Sequence, residues 1–254
     1  MRRLSLLLAI TGLTQIAAPL YAQEVSISKD TKGFYFTAGV GAAWAANPSL
    51  SAAQSGSVAG VNYSGVLTGT QNLGGSVAAE GGLGYDFGNN LRGEVTYVLN
   101  SFSVGSTTIS GNYRLTGGFT GNIPITANVD ASGTINTNSV FTSGYYDFRT
   151  KSKFTPYIGA GLGWTSVSAP MLPYSGTATV QNVATGFSGT SGASSASALG
   201  YIAKIGVAYA VAKPADIYFE GIYQGNTGVT ISDVEFGALN SFGARFGVRY
   251  KFGI

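Results

Sequence analysis

From Gly33 onward, apolar side chains alternate with polar or small ones, the two-residue period of a β-strand whose faces meet different surroundings. Phe34, Phe36, Ala38, Val40, Ala42 and Trp44 share one parity, and Tyr35, Thr37, Gly39, Gly41 and Ala43 the other. Val77, Ala79, Gly81, Leu83, Tyr85 and Phe87 separate in the same way from Ala78, Glu80, Gly82, Gly84 and Asp86. Leu91, Gly93, Val95, Tyr97 and Leu99 oppose Arg92, Glu94 and Thr96, and Ile158, Ala160, Leu162 and Trp164 oppose Tyr157, Gly159, Gly161 and Gly163. The stretch from Tyr201 to Val211 carries Lys204 on its polar side. Ile217, Phe219 and Tyr223 face away from Asp216, Tyr218, Glu220 and Gln224. Phe242, Ala244, Phe246, Val248, Tyr250 and Phe252 face away from Arg245, Arg249 and Lys251. The least regular segment is 136–148, where Val140, Tyr146 and Phe148 would oppose Phe141, Tyr145 and Asp147. The pattern therefore predicts eight strands.

The links between them predict a topology. Three are short: Gly88-Asn89-Asn90, Arg149 to Thr155, and Ala212 to Ala215 with Pro214. Four are long and rich in Gly, Ser, Thr and Asn, at about 45–75, 103–135, 168–197 and 225–240. Short and long links alternate, so every short one falls at the same end of the sheet as both termini. Eight antiparallel strands, tight turns at one end and long loops at the other match a transmembrane β-barrel with short periplasmic turns and long extracellular loops. Closure follows because lipid offers no partner to an unpaired backbone edge. Past residue 22 there is no run of 18 apolar residues to form a membrane helix.

Parity alone leaves open which face points outward, since a soluble eight-stranded barrel would put its apolar face inside. The amino terminus and the placement of charge favour the membrane form. Arg2 and Arg3 precede an uncharged apolar stretch from Leu4 to Ile16, the layout of a secretory signal peptide with cleavage after Ala22. That run is short for a membrane-anchoring helix. Residues 1–22 are thus expected to be a leader and 23–254 the barrel domain, in a bacterial outer membrane. Loss of the leader removes two of the 14 basic side chains and leaves a nearly neutral chain with no basic nucleic-acid footprint.

Charged residues make up only 10% of the chain, against about 25% in ordinary soluble domains. The polar strand face collects Glu80, Asp86, Glu94, Asp147, Asp216 and Glu220 together with Arg92, Arg149, Lys204, Arg245, Arg249 and Lys251. An eight-stranded barrel is just wide enough for side chains to fill it. Glu80, Arg92, Glu94, Lys204, Glu220, Arg245 and Arg249 are therefore expected to form an ion-pair network that either plugs the lumen or gates a narrow polar path through it. Glycines at 39, 41, 82, 84, 159, 161 and 163 would leave room there for long Arg and Tyr side chains. Trp44, Phe87, Tyr97, Trp164, Tyr250 and Phe252, with Phe148 and Tyr223, are placed to form aromatic girdles at the membrane interfaces.

Phe154-Thr-Pro-Tyr-Ile-Gly-Ala-Gly-Leu-Gly163, preceded by Gly144-Tyr-Tyr-Asp-Phe148, resembles the central strand pair of the small OmpA-like and surface-antigen barrels, which include opacity-type proteins. Arg92-Gly-Glu-Val-Thr-Tyr97 and Phe242-Gly-Ala-Arg-Phe-Gly-Val-Arg-Tyr-Lys-Phe252 are similar to other strands of that group. The resemblance covers nearly the whole chain after the leader, in the strands only. It implies that the last strand is read by the barrel insertion machinery, here with Gly253 and Ile254 following the terminal aromatic residue. It also implies outer-membrane lipids as partners, without the peptidoglycan-binding domain of the longest members.

Histidine and cysteine are both absent. That removes zinc sites built on Cys, thiol nucleophiles and imidazole-based triads. The small-barrel enzymes, namely lipid A deacylases and palmitoyltransferases, phospholipases and omptin proteases, depend on a histidine, so no catalytic activity, metal or cofactor is expected. The glycine pairs at 39–41 and 159–163 lie in strands and lack the lysine of a phosphate-binding loop. The long links 45–75 and 168–197 carry no charge, and 103–135 holds only Arg114 and Asp130. Val58 to Leu67 and Thr177 to Val183 keep β character there, consistent with projecting hairpins. Tyr63, Tyr113 and Tyr174 with neighbouring Ser, Thr and Asn could present a surface to ligands. Two readings follow: a structural, adhesive or recognition protein, or a small porin passing ions or small solutes.

Overall fold

The computed structural model describes residues 32–117, 120–231 and 234–252, and the proposed leader lies outside them. The described residues form one antiparallel sheet of fourteen strands, numbered along the chain. These are β1 (Gly33–Ala45), β2 (Ser49–Val58), β3 (Val61–Asp86), β4 (Leu91–Gly117), β5 (Gly121–Ala131), β6 (Thr134–Asp147) and β7 (Phe154–Ala169). They continue with β8 (Pro173–Val180), β9 (Val183–Thr190), β10 (Ser194–Ala212), β11 (Ala215–Asn226), β12 (Val229–Ile231), β13 (Val234–Phe236) and β14 (Asn240–Lys251).

Eight of these strands close a ring, in the order β1, β3, β4, β6, β7, β10, β11, β14 and back to β1. The closing contact runs from Tyr35 opposite Lys251 to Ala45 opposite Ser241, which joins the first and last strands. Every ring strand therefore has a hydrogen-bonded neighbour on both sides, as a lipid-embedded sheet requires. The short links β3–β4, β6–β7 and β10–β11 lie at the end where β1 begins and β14 finishes. The irregular segment is a regular strand: in β6, Phe141, Tyr145 and Asp147 are buried inside while Val140 and Tyr146, with Phe148 just past its end, are exposed outside.

The alternation decides what each face meets. Phe34, Val40, Val95, Leu162, Ile205, Phe219 and Phe246 all stand exposed on the outer wall, while the charged side chains of the opposite parity are buried within. Aromatic rings collect in two bands. Near the terminus-side rim, Phe34, Tyr85 and Phe87 pack in sequence, as do Phe36, Tyr250 and Phe252, and Tyr146 packs on Phe148. Near the far rim Trp44 stacks on Phe242, which is paired with Tyr223, and Tyr97 and Trp164 both flank Val140. On β1 the two bands are ten residues apart, Phe34 to Trp44. At a rise of about 3.4 Å per residue and a tilt of roughly 40°, that is roughly 26 Å, the height of an apolar membrane band.

The expected long loops are instead a continuation of the sheet. β3 and β4 run on past the ring as a pair, from Asp86 opposite Arg92 to Val61 opposite Gly117, with register shifts near Gln71–Ser76. Their outer edges would be unpaired above the rim, and β2 and β5 cover them. β8 then pairs with β5, β9 with β8, and β13 with β2. The hairpins turn at Ala59-Gly60 and Gln181-Asn182, where all four residues have positive φ, the geometry that matches strand twist in a two-residue turn. The extension alternates half-buried and exposed side chains rather than fully buried ones, so backbone pairing holds it more than core packing does.

Candidate functional site

The lumen collects the ionisable side chains because inward parity on eight strands converges there. All seven residues proposed for the network lie inside the ring and are buried. Glu80 on β3 is its hub: Oε2 accepts from Lys204 Nζ at 2.8 Å and from Arg245 Nη1, and Oε1 accepts from the Tyr218 hydroxyl at 2.9 Å. Lys204 also reaches Glu220 Oε1 at 3.1 Å, and Tyr157 donates to Glu220 Oε2 at 2.9 Å. Arg245 donates in addition to the Gln224 side chain at 3.2 Å.

A second cluster sits closer to the terminus-side rim. Arg92 Nε donates to both carboxylate oxygens of Asp147, at 3.0 and 2.7 Å, and Nη1 donates to the Tyr35 hydroxyl at 2.9 Å. Tyr35 and Tyr145 donate to the two oxygens of Glu94 at 2.9 and 3.0 Å, so the carboxylate is held mainly by phenols, with Arg92 at 3.7 Å. Arg249 has Asp216 at 3.7 Å and lies over the rings of Tyr35, Tyr157 and Tyr218. At the rim, Asp86 receives Arg149 at 2.8 Å and Lys251 at 3.7 Å.

Tyr35, Tyr145, Tyr157 and Tyr218, outside the set that charge alone picks out, also belong to the network. They share parity with the charges and face inward glycines across the strand pairs, a signal the sequence does contain. A Cβ on Gly84 would fall on the Tyr35 ring, on Gly159 on Tyr145, on Gly206 on Tyr157, and on Gly39 or Gly247 on Tyr218. The notches expected at 39, 84 and 159 thus hold tyrosines. Gly41, Gly82, Gly161 and Gly163 do not: a Cβ there meets the backbone of the adjacent strand, together with the Thr96 side chain at Gly82 and the Ser143 side chain at Gly161.

Towards the far rim the interior changes character. Val98, Phe141, Ile202 and Ile222, from four different strands, form a buried apolar cluster directly beyond Glu80, Lys204 and Arg245. Phe102, Ala43 and Ala78 pack as a further apolar layer beyond it. Polar side chains beyond the first of these layers bond to one another: the Ser139 and Thr165 hydroxyls lie 2.9 Å apart, and the Asn100 amide donates to the Thr137 hydroxyl at 3.2 Å. The lumen is therefore an ionic floor covered by an apolar septum. Among the described residues, no group of three or more acidic side chains is arranged to hold a metal ion.

The proposed girdle residues Trp44, Phe87, Tyr97, Trp164, Tyr250 and Phe252 are all exposed on the outer wall. Of the proposed surface tyrosines, Tyr63 and Tyr113 form an edge-to-face pair, centroids 5.6 Å apart, high on the extension. Tyr174 turns instead toward a cavity at the far mouth of the barrel and packs near Phe187.

A family model, Opacity family porin protein, matches residues 83–252. The chain is similar in structure to Neisserial surface protein A, with 22% identity, TM-score 0.45, and coverage of 87% of this chain and 97% of that one. It is also similar to the outer membrane protein OprG from Pseudomonas aeruginosa, at 13% identity and TM-score 0.42, covering 89% and 99%. The attachment invasion locus protein Ail of Yersinia pestis aligns at 11% identity and TM-score 0.34, covering 87% and 100%. No curated protein matches the chain.

Proposed function

The chain belongs to the Opacity family of porins, an outer-membrane β-barrel family, and from that premise we propose that it is a non-catalytic surface protein whose barrel is sealed and whose work is recognition or adhesion. The observation that carries this reading is the apolar septum of Val98, Phe141, Ile202 and Ile222 above a buried, ion-paired layer. A hydrophobic constriction excludes water and with it ions. Buried polar side chains resume beyond it, among them Gln224, Ser139, Thr165 and Asn226, so the alternative of a gated polar path would require these four apolar side chains to part.

The outward sheet supports the second half of the reading. β9 is exposed along its whole length and forms one edge of the sheet, with β8 as its hydrogen-bonded neighbour. An exposed strand edge is a template for pairing with another chain. The carboxylates of the lumen are engaged by arginine, lysine and tyrosine, and the chain lacks histidine, which supports a non-catalytic role. The test compares attachment of cells expressing the intact chain with cells in which residues 173–190 are replaced by a short Gly-Ser link. At equal surface abundance, attachment should rise with the intact chain and fall to background with the trimmed one. Equal attachment by both would remove the recognition role from this hairpin.

A further inference from the structure

A cavity of about 390 Å³ lies at the far mouth of the ring, beneath the sheet extension. Val104, Ile135 and Val167 rise into it from the ring strands, and Leu73, Leu172 and Phe236 descend from the extension. On β7, Val167 stands three residues beyond Trp164, and on β6, Ile135 stands five residues beyond Val140, so the cavity lies on the aqueous side of the far aromatic band. We propose that this cavity binds an uncharged, predominantly hydrocarbon solute arriving from the water outside the membrane.

The lining selects that chemistry by what it lacks. Among the described residues, no charged side chain lines the cavity. Of the polar side chains that reach it, Gln71, Ser191 and Asn226 are engaged within the protein, and the hydroxyls of Tyr174 and Ser194 complete the polar lining. The Gln71 amide donates to the carbonyls of Asn72 and Gly105, and its oxygen accepts from Thr107. Ser191 Oγ accepts the Leu172 N–H, and Asn226 Oδ1 accepts the Leu239 N–H. A charged ligand would lose its hydration and meet no opposite charge among the described residues, whereas a hydrocarbon gives up no hydrogen bond on entering. The volume lies within the range of small-molecule pockets, and an apolar cavity of this kind takes up hydrocarbon in preference to water.

Access and exit follow from the surroundings. Gly192 and Ala193 line the cavity and are exposed, which leaves an opening between β9 and β10. Below, Phe102 and the septum close the way into the lumen, so the solute is held at the mouth and not passed inward. Binding here goes beyond the recognition reading and does not depend on it.

The test is equilibrium dialysis of naphthalene against the full chain refolded in lipid nanodiscs, with empty nanodiscs subtracted. The expected result is saturable uptake approaching one molecule per chain. Val104→Trp, which fills the cavity, and Leu172→Glu, which places a charge in it, should each weaken uptake at least tenfold while keeping the migration of the folded form on unheated gels. Val66→Thr, on the outside of the extension, should leave uptake unchanged. Uptake no greater than that of empty discs overturns the proposal, whether the cavity stays empty or already holds a lipid chain. Saturable uptake that neither cavity variant weakens overturns it as well. Single-channel recordings read the septum and not the cavity, so failure here is distinguishable from failure of the sealed-barrel reading.

Discussion

Lys204 on β10 and Glu80 on β3 meet across the barrel interior at 2.8 Å, joining strands that are not neighbours in the ring and residues 124 positions apart in sequence. Both side chains are almost wholly buried. A pair of this kind adds little net stability compared with apolar packing, but removing one partner leaves an uncompensated charge in the buried cluster that Arg245 and Glu220 share with it. The relationship therefore fixes which strands face each other, and the loss of either partner alone is costly.

Glu80→Gln leaves Lys204 and Arg245 without their shared carboxylate. The expected loss of unfolding free energy in lipid vesicles is about 3–5 kcal/mol. Lys204→Met should cost a similar amount, and the double variant should be less destabilised than the sum of the two. Strict additivity in a urea titration would show that the two side chains do not act as a unit.

The tyrosine notches give a prediction with an internal control. A Cβ at Gly159 would overlap the Tyr145 ring, whereas at Gly144, on the outer face of the neighbouring strand, it meets nothing within 4 Å. Gly159→Ala should therefore destabilise the barrel by about 1–3 kcal/mol, the usual cost of overpacking. Gly144→Ala should be neutral or stabilising by about 0.5–1 kcal/mol, since it reduces the freedom of the unfolded chain. The midpoint of heat-modifiable migration reads both.

Depth in the membrane is testable with lysine. Val95 lies midway between the aromatic bands, while Val66 is exposed on the extension above them. Val95→Lys should cost about 2–4 kcal/mol, the penalty for a cation at the bilayer midplane on the lipid face. Val66→Lys should change stability by less than about 0.5 kcal/mol, as a surface substitution does. Equal costs would place the membrane boundary elsewhere.

The eight ring strands were legible because each has one face on lipid and one on a charged interior, which writes a two-residue period into the chain. Even the least regular, β6, keeps Phe141, Tyr145 and Asp147 inside. The extension was legible only in fragments, around Val58–Leu67 and Thr177–Val183. Strands such as β9, exposed on both faces, have no contrast to record. Their turns use Ala59-Gly60 and Gln181-Asn182 in place of the usual Asn-Gly signal. Parity also tells the face of a residue but not its depth. That Val98, Phe141, Ile202 and Ile222 fall at one level, beyond Glu80 and Lys204, depends on the stagger of strands around the ring. The choice of Tyr35 and Tyr145 as partners of Glu94 depends on the same stagger.

The sealed lumen is tested most directly by single-channel recording of the refolded chain in planar bilayers, beside the variant Phe141→Gly/Ile202→Gly that opens the septum. The wild-type chain should show a silent baseline, with discrete conductance steps in the opened variant alone. Steady wild-type channels, unchanged by the double substitution, would contradict the account.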